Sequence, residues 1–332
     1  MRTTLKLAVL ATFLLSACAE KITSEGPALE DLFGDFSLVD ALSTSTSDVD
    51  FSTGEKLVLS ARFTKSADWQ ADLIGLSSGA HKVITGKSKM LDASNATWDG
   101  STTIFPMFQE EQVAIDLYIP EVDLHMYDTV TVSGVKVNDG FLIADFESGP
   151  NPGWLIFAQS GADMTFRIEN TDAPAQGSNY YDMGGEVNWD WLIGYIEFPA
   201  SAYQLTTYPL NPNPNNVYFN VLLYKPAGIT NALALFQFRE DDNLDGNFNG
   251  ANEDMYSVEV SGLDVGWNKV SLRYSDIIAL NNGQPVAPNG NGFHEPNKIL
   301  NVAVLMLANP ASGYSQLYMD YLIFTQNEPL NP

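Results

Sequence analysis

Short runs of alternating apolar and polar residues recur along this chain from Phe36 onward, and no stretch keeps a helical period. A side chain that must change face at every residue needs an extended backbone, so the pattern confines the chain to half-buried strands. "KLVLSARF" (56–63) sets Leu57, Leu59, Ala61 and Phe63 against polar neighbours, and "VAIDLYI" (113–119) and "DTVTVSGVKV" (128–137) alternate likewise. Gly, Asn, Asp and Ser lie between the runs, as turns require. Residues 32–139 have the length of a small sandwich of about seven strands.

Gly140 reads as a seam. "FLIADFESG" (141–149) opens a second β series, followed by "NWDWLIGYIEF" (188–198), "NVYFNVLLY" (216–224), "ALALFQFRE" (232–240), "MYSVEVSGL" (255–263), "WNKVSLRY" (267–274), "ILNVAVLMLA" (299–308) and "LYMDYLIFT" (317–325). These runs are longer and more apolar on both sides. Their number over 140–327 fits a jelly roll of two packed antiparallel sheets. "LNPNPNN" (210–216) and "NNGQPVAPNGNG" (281–292) read as connecting loops, and Tyr274-Ser275-Asp276-Ile277-Ile278 as a short helical turn.

The start of the chain differs. Arg2 and Lys6 precede an apolar run from Leu7 to Leu15, then small residues and Cys18, which is the chain's single cysteine. That is the layout of a secretory signal, and the run is too short to span a bilayer. Leu15-Ser16-Ala17-Cys18 resembles the bacterial lipobox. The resemblance implies cleavage after residue 17 and lipid on Cys18, with residues 18–31 as a tether. Each buried acyl methylene adds about 0.8 kcal/mol, so several chains on one cysteine hold a body firmly to a membrane. Ala19, where inner-membrane retention signals place Asp, implies the outer membrane.

The chain carries 16 basic and 41 acidic side chains, a formal charge of -25. Such a surface repels nucleic acid and anionic lipid and suits neutral ligands and divalent cations. It also serves plain solubility. With one cysteine there is no internal disulfide, and stability rests on core burial or bound metal.

"REDDNLDGNFNGANED" (239–254) carries the sharpest local chemistry. Asp241, Asn243 and Asp245 alternate, Gly246 follows, and Glu253 and Asp254 come later. Alternate oxygen ligands with a glycine for the turn suit Ca²⁺. The twelfth loop position of an EF-hand would be Asn252, and Glu253 is one residue late, so this is a hairpin loop and not an EF-hand. Asp, Asn and Gly also build ordinary acidic turns, and both readings stay open.

Aromatics are dense in the second series. Trp189, Trp191 and Tyr195 share a face by parity, Tyr218, Asn220 and Tyr224 oppose Phe219, Val221 and Leu223, and Gln237 and Arg239 alternate with Phe236 and Phe238. Rings beside amides and a guanidinium suit sugars, whose C–H faces stack while hydroxyls pair. Such rings also fill cores. His81, His125 and His294 read as isolated, and no G-x-S-x-G, H-E-x-x-H or P-loop appears, so a non-catalytic protein is expected.

"DFESG…W" (145–154), "YYDMGGEVNWDW" (180–191), the 239–254 loop with "GWNKVSL" (266–272), and "LYMDYLIFT" together resemble the β-jelly-roll domains of lipoproteins from Bacteroidetes-type bacteria, similar to galactose-binding-like carbohydrate-binding modules. "GLSSGAHKVITGKS" (75–88) and "NATWDGSTTIFPMF" (95–108) resemble the immunoglobulin-like spacer of such proteins. The resemblance implies an all-β chain, an immunoglobulin-like β-sandwich followed by a β-jelly-roll. It implies a surface lipoprotein that binds polysaccharide and presents it to an outer-membrane transporter or hydrolase, and the parity and chemistry of the strands point to Trp189, Trp191, Tyr218, Asn220, Gln237 and Arg239 as the ligand-binding residues. It also implies a structural calcium shared by Asp145 and Glu147 on the first strand of the second domain and Asp320 on its last. The alternative is a structural or assembly lipoprotein whose β domains bind another envelope protein.

Overall fold

A computed structural model describes residues 34–171, 174–308 and 313–332. The signal, Cys18 and the tether lie outside the described residues. Among those described, no helix is long and apolar enough to cross a membrane. The chain is all-β, and among the described residues short 3-10 turns are the only helices.

The first seven strands are β1 (Leu38–Thr44), β2 (Asp48–Asp50), β3 (Leu57–Gly75), β4 (His81–Leu91), β5 (Thr97–Trp98), β6 (Glu111–Ile119) and β7 (Leu124–Gly134). They run in the order β1-β3-β6-β7-β2, with β4 and β5 attached to β3. β3 is 19 residues long, far beyond the alternating run that announces it. Its first half pairs with β1 and β5 and its second with β6, while β4 pairs with it on both sides of the bend. Between Arg62 and Ala67 its register with β4 slips. Such a bulge bends a strand. Leu57, Leu59 and Phe63 before the bend and Trp69, Ala71 and Leu73 after it all enter one core, closed by edge-on contacts of Trp98 with Phe51 and Phe108.

The second set comprises β8 (Phe141–Ala144), β9 (Leu155–Ala158), β10 (Asp163–Glu169), β11 (Tyr180–Glu186), β12 (Leu192–Pro199), β13 (Val217–Lys225), β14 (Ala234–Glu240), β15 (Met255–Val260), β16 (Gly266–Arg273), β17 (Leu280–Asn281), β18 (Gln284–Pro285), β19 (Ile299–Leu307) and β20 (Ser315–Gln326). One sheet has the order β10-β11-β20-β13-β16 with β8 on β20, and the other β15-β14-β19-β12-β9. Their inner faces supply a single core. Phe219 of β13 meets Phe236 and Phe238 of β14 and Phe324 of β20 at ring distances of 5.3, 5.1 and 5.5 Å. Each such ring removed from water adds about 1.5–3 kcal/mol.

Three local expectations change. β8 ends at Ala144, and Phe146 takes a positive φ of 62°, so Asp145 and Glu147 lie in a turn and not on the first strand. β12 starts at Leu192, so Trp189 and Trp191 precede it; Asp190 Oδ1 accepts the N–H of Trp191 and holds a bend there. Residues 281–292 include the small hairpin of β17 and β18.

The outer face of the six-stranded sheet is covered. Leu222 and Ile323 pack with Met107 of the first sandwich, Ala175 and Leu330. Asn220 is fully buried there. Its Nδ2 donates to the carbonyls of Tyr218 and Ile323 and to Thr325 Oγ1, and its Oδ1 accepts the N–H of Leu330.

Candidate functional site

The open face belongs to the five-stranded sheet. Phe236 and Phe238 point into the core, so Leu235, Gln237 and Arg239 point out. By the same parity β19 turns Asn301, Ala303, Leu305 and Leu307 outward and β15 turns out Met255 and Glu259. Register places Gln237 opposite Ala303, and Ala303 opposite Glu197 of β12. The floor is apolar, formed by Leu235, Ala303, Leu305 and Leu307 with Leu192 and Tyr195 at its side.

A cleft of about 450 Å³ lies on this floor. Trp191, 53% exposed, stands in its wall. Gln237, Glu259, Asn281 and Asn282 bring polar groups to it. A second cavity of about 470 Å³ shares Met255, Leu280 and Asn281 with the first and is walled by Phe248, Glu253 and Asn289. The β17–β18 hairpin closes this side, anchored by the N–H of Ser257 on the carbonyl of Ile278 at 2.8 Å.

Arg239 is fixed. Its Nη1 lies 2.7 Å from Glu197 Oε1, and Asn301 Nδ2 donates to Glu197 Oε2 at 2.8 Å. The guanidinium sits 5.7 Å over the ring of Phe248. It therefore braces the loop and floor more than it reaches toward solvent.

Of the six residues expected to bind ligand, Trp191 and Gln237 line the cleft and Arg239 lies on the same face. Trp189 is 57% exposed and rests over Gly161, where a Cβ would lie 3.2 Å from the indole. Tyr218 and Asn220 are a correction. They lie on the other sheet, Tyr218 beneath Arg273 and Asn220 buried, because the first sandwich and residues 328–332 cover that face. Glu259, Asn281 and Asn282 were missed. Glu259 was legible from the alternation of "MYSVEV"; the two asparagines sit in a turn whose tertiary placement no local pattern gives.

The 241–254 loop is largely self-capped. Asp241 is buried, and its two oxygens accept the N–H groups of Asp245 and Gly246 at 3.0 and 2.8 Å. Asn243 Oδ1 caps Asp245, Asp245 Oδ1 caps Asn247, and Glu253 Oε2 caps Asn249. In the other set, Asp145 Oδ1 accepts the N–H of Glu147, and Glu147 Oε1 accepts those of Ser178 and Asn179. Asp320 is buried beneath them; Oδ2 accepts the N–H of Gln176, while Oδ1 and Gln176 Oε1 have no partner. Burial pushes the Asp320 carboxyl far above the usual range. Orphaned buried oxygens beside carboxylates fit a hard cation. A third group of acids, Glu240, Asp242 and Glu295, brings one oxygen each to within 4.8 Å of the others. None of the seven expected ligands is among them.

The histidines are not isolated. His81 Nε2 lies 2.7 Å from Asp72, His125 Nδ1 lies 2.9 Å from Asp116, and His294 Nε2 bonds the Ile277 carbonyl while stacking on Tyr256.

No protein-family model matches the chain, and no curated protein matches it in sequence. Among solved structures, it is similar to a structure described for carbohydrate-binding modules of the β-sandwich superfamily: 12% identity, 87% of this chain and 97% of that one, TM-score 0.38. It is similar to the family 11 carbohydrate-binding module of the cellulase Lic26A-Cel5E from Clostridium thermocellum: 15% identity, 57% of this chain and 96% of that one, TM-score 0.39. A third is SGBP-B from a xyloglucan utilization locus of Bacteroides uniformis, with 10% identity, 88% and 73% covered, and TM-score 0.37.

Proposed function

We propose that this chain is a non-catalytic glycan-binding lipoprotein, held to the bacterial outer membrane by lipid on Cys18 and facing the cell surface. Residues 32–139 act as an immunoglobulin-like spacer, and the jelly roll of residues 140–327 takes polysaccharide on its five-stranded sheet. The observation that carries this is the cleft itself: an exposed Trp191 beside Gln237, Glu259, Asn281 and Asn282 over a leucine floor. An indole stacks on sugar C–H faces, and amides and a carboxylate pair with hydroxyls. The formal charge of -25 favours a neutral glycan over an anionic one. Calcium belongs to the same reading, with the orphaned oxygens of Asp320 and Gln176 as support for a structural ion beside Asp145 and Glu147.

The test is retardation of residues 19–332 in native gels cast with a panel of neutral polysaccharides. One or more glycans retard the protein, and Trp191→Ala weakens that retardation roughly tenfold, about the worth of one ring contact. The melting temperature stays unchanged, since Trp191 is half exposed. Loss of folding in Trp191→Ala, or equal retardation by the variant, overturns the assignment.

One observation favours the second reading, an assembly lipoprotein with an envelope-protein partner. β9 is an edge strand paired with β12 alone among the described strands, and its Leu155 and Ile156 are 54% and 53% exposed. Unpaired edges invite strand addition from another chain. Crosslinking from β9 to an envelope protein, with no glycan retardation, would move the assignment there.

A further inference from the structure

We propose that Glu240, Asp242 and Glu295 form a calcium site that ties the end of β14 to the loop entering β19, and thereby fixes the walls of the second cavity, beside the cleft. Its bearing on ligand binding rests on the glycan-binding reading above; the ion site itself does not.

Glu240 continues the inward parity of Phe236 and Phe238, so its carboxylate ends inside the sandwich with no exposed surface. Oε1 accepts the O–H of Tyr274 at 2.7 Å and the N–H of Glu295 at 2.6 Å. Oε2 is buried and has no partner. A carboxylate oxygen taken from water without a donor or cation costs several kcal/mol, so an orphan at this depth points to a missing positive charge. Asp242 follows two residues later, and Glu295 comes from the far loop. One oxygen from each lies within 4.8 Å of the others.

The three donors are all carboxylate oxygens, which suit a hard divalent ion and not a thiophilic or imidazole-seeking one. Calcium binds oxygen at about 2.3–2.6 Å, so ligands on one ion stand up to about 5 Å apart. The observed spread fits without rearrangement. The backbone is already drawn around the group. Asp254 Oδ1 and Oδ2 accept the N–H groups of Gly290 and Gly292, and Asp242 accepts that of Asn291. A Cβ on Gly290 would fall 1.9 Å from Asp242 Oδ2, so only glycine lets the loop approach. Lys298 is the ammonium at hand. Its Nζ bonds Glu295 Oε2 and the Asp242 carbonyl and leaves Glu240 Oε2 without a partner.

The site binds together segments that also wall the second cavity, namely 241–254 through Phe248 and Glu253, and 286–295 through Asn289. Phe248 in turn packs on Arg239 in the floor.

The experiment uses terbium as a luminescent calcium substitute on residues 19–332. Tyr274, whose hydroxyl bonds Glu240, is the sensitising ring. Excitation of tyrosine gives saturable terbium emission that calcium displaces, and calcium raises the melting temperature. In an Asp145→Asn background, which disables the other proposed calcium site, Asp242→Asn and Glu295→Gln, both at partly exposed positions, weaken terbium and calcium binding at least tenfold and abolish the remaining thermal shift. Asp145→Asn leaves this emission in place. Glu240→Gln is the deeper variant and tends to misfold, so the first two decide. Two results overturn the proposal: no terbium or calcium binding by the folded wild type, which leaves Lys298 as the sole counter-charge, or unchanged binding in both folded variants. Ion binding without glycan retardation supports the site while the reading of the cleft fails.

Discussion

Glu111 shows how a single carboxylate organises a turn. It is 7% exposed and accepts the N–H groups of Ser77, Ser78 and Gln109 at 2.7, 2.9 and 3.1 Å, with the Ser78 hydroxyl at 2.5 Å. Gly75 beneath it leaves room that a Cβ would fill, 2.4 Å from Oε1. Burial works against the charge, but the Ser78 hydroxyl and the three backbone donors outweigh it and hold the carboxyl below its usual range. The folded pKa is thus depressed. Its stabilisation is present above the unfolded value near pH 4.3 and is lost as pH falls through the folded value. Glu111→Gln should cost about 1–2 kcal/mol at pH 7, and the gap to wild type in urea melts should close below about pH 4. A gap that stays constant as pH is lowered through the acid range would show packing, not charge, at work. Single residues also mark the limit of reading a sequence. Asn220 and Gln237 occupy equivalent polar slots of alternating strands, yet one is sealed under the chain's last residues and the other lines a cleft. Parity assigns a side chain to a face; only tertiary cover decides whether that face is wet.

At the scale of elements, the alternating strands were the legible part. β6 begins and ends close to where alternation does, because a half-buried strand must alternate, while β13 and β19, buried on both faces, are marked by near-continuous apolar runs. β9 was hidden: "LIFA" has no alternation, and all four residues are exposed. β14 shows how an element couples to its neighbours. Arg239 was expected to meet ligand, but it is paired to Glu197, a residue 6% exposed on β12 two strands away. Removing one partner of such a buried pair leaves the other charge unmatched. Arg239→Ala should therefore cost about 2–3 kcal/mol in stability and lower the melting temperature, with Glu197→Gln smaller. Arg239→Lys should rescue little, since the planar fork meets both a carboxylate and the Phe248 ring. Thermal melts of the three variants check this order. An Arg239→Ala protein as stable as wild type would return the residue to the ligand.

For the whole molecule, the question is what joins the two sandwiches. Residues 328–332 lie between them. Leu330 is 2% exposed, packed with Met107, Leu222 and Ile323, and its N–H and carbonyl are held by Asn220 Oδ1 and Lys269 Nζ at 3.0 and 2.9 Å. The carbonyl of Pro332 accepts the N–H of Thr102 at 2.6 Å, and Asn331 donates to Asp99. The same short segment thus contacts the first sandwich through backbone and amide groups and fills an apolar gap on the second. Its direct link to the first sandwich joins the contact between Met107 and Ala175, whose N–H and carbonyl bond at 2.7 Å. Truncation after Asn327 removes the buried leucine and leaves Asn220 Oδ1 without its donor. Leu330→Ala removes the side chain and keeps the backbone bonds. The leucine alone should be worth about 2–4 kcal/mol, and the orphaned amide oxygen about 1–2 kcal/mol more. Calorimetry should show one transition for the intact chain and two for the truncated one, with the lower belonging to the second sandwich, and Leu330→Ala between them. If instead the truncated chain melts in one transition at the wild-type temperature, the sandwiches are held by the contacts of Met107, Gln109 and Asn138 and the last residues contribute nothing to their union.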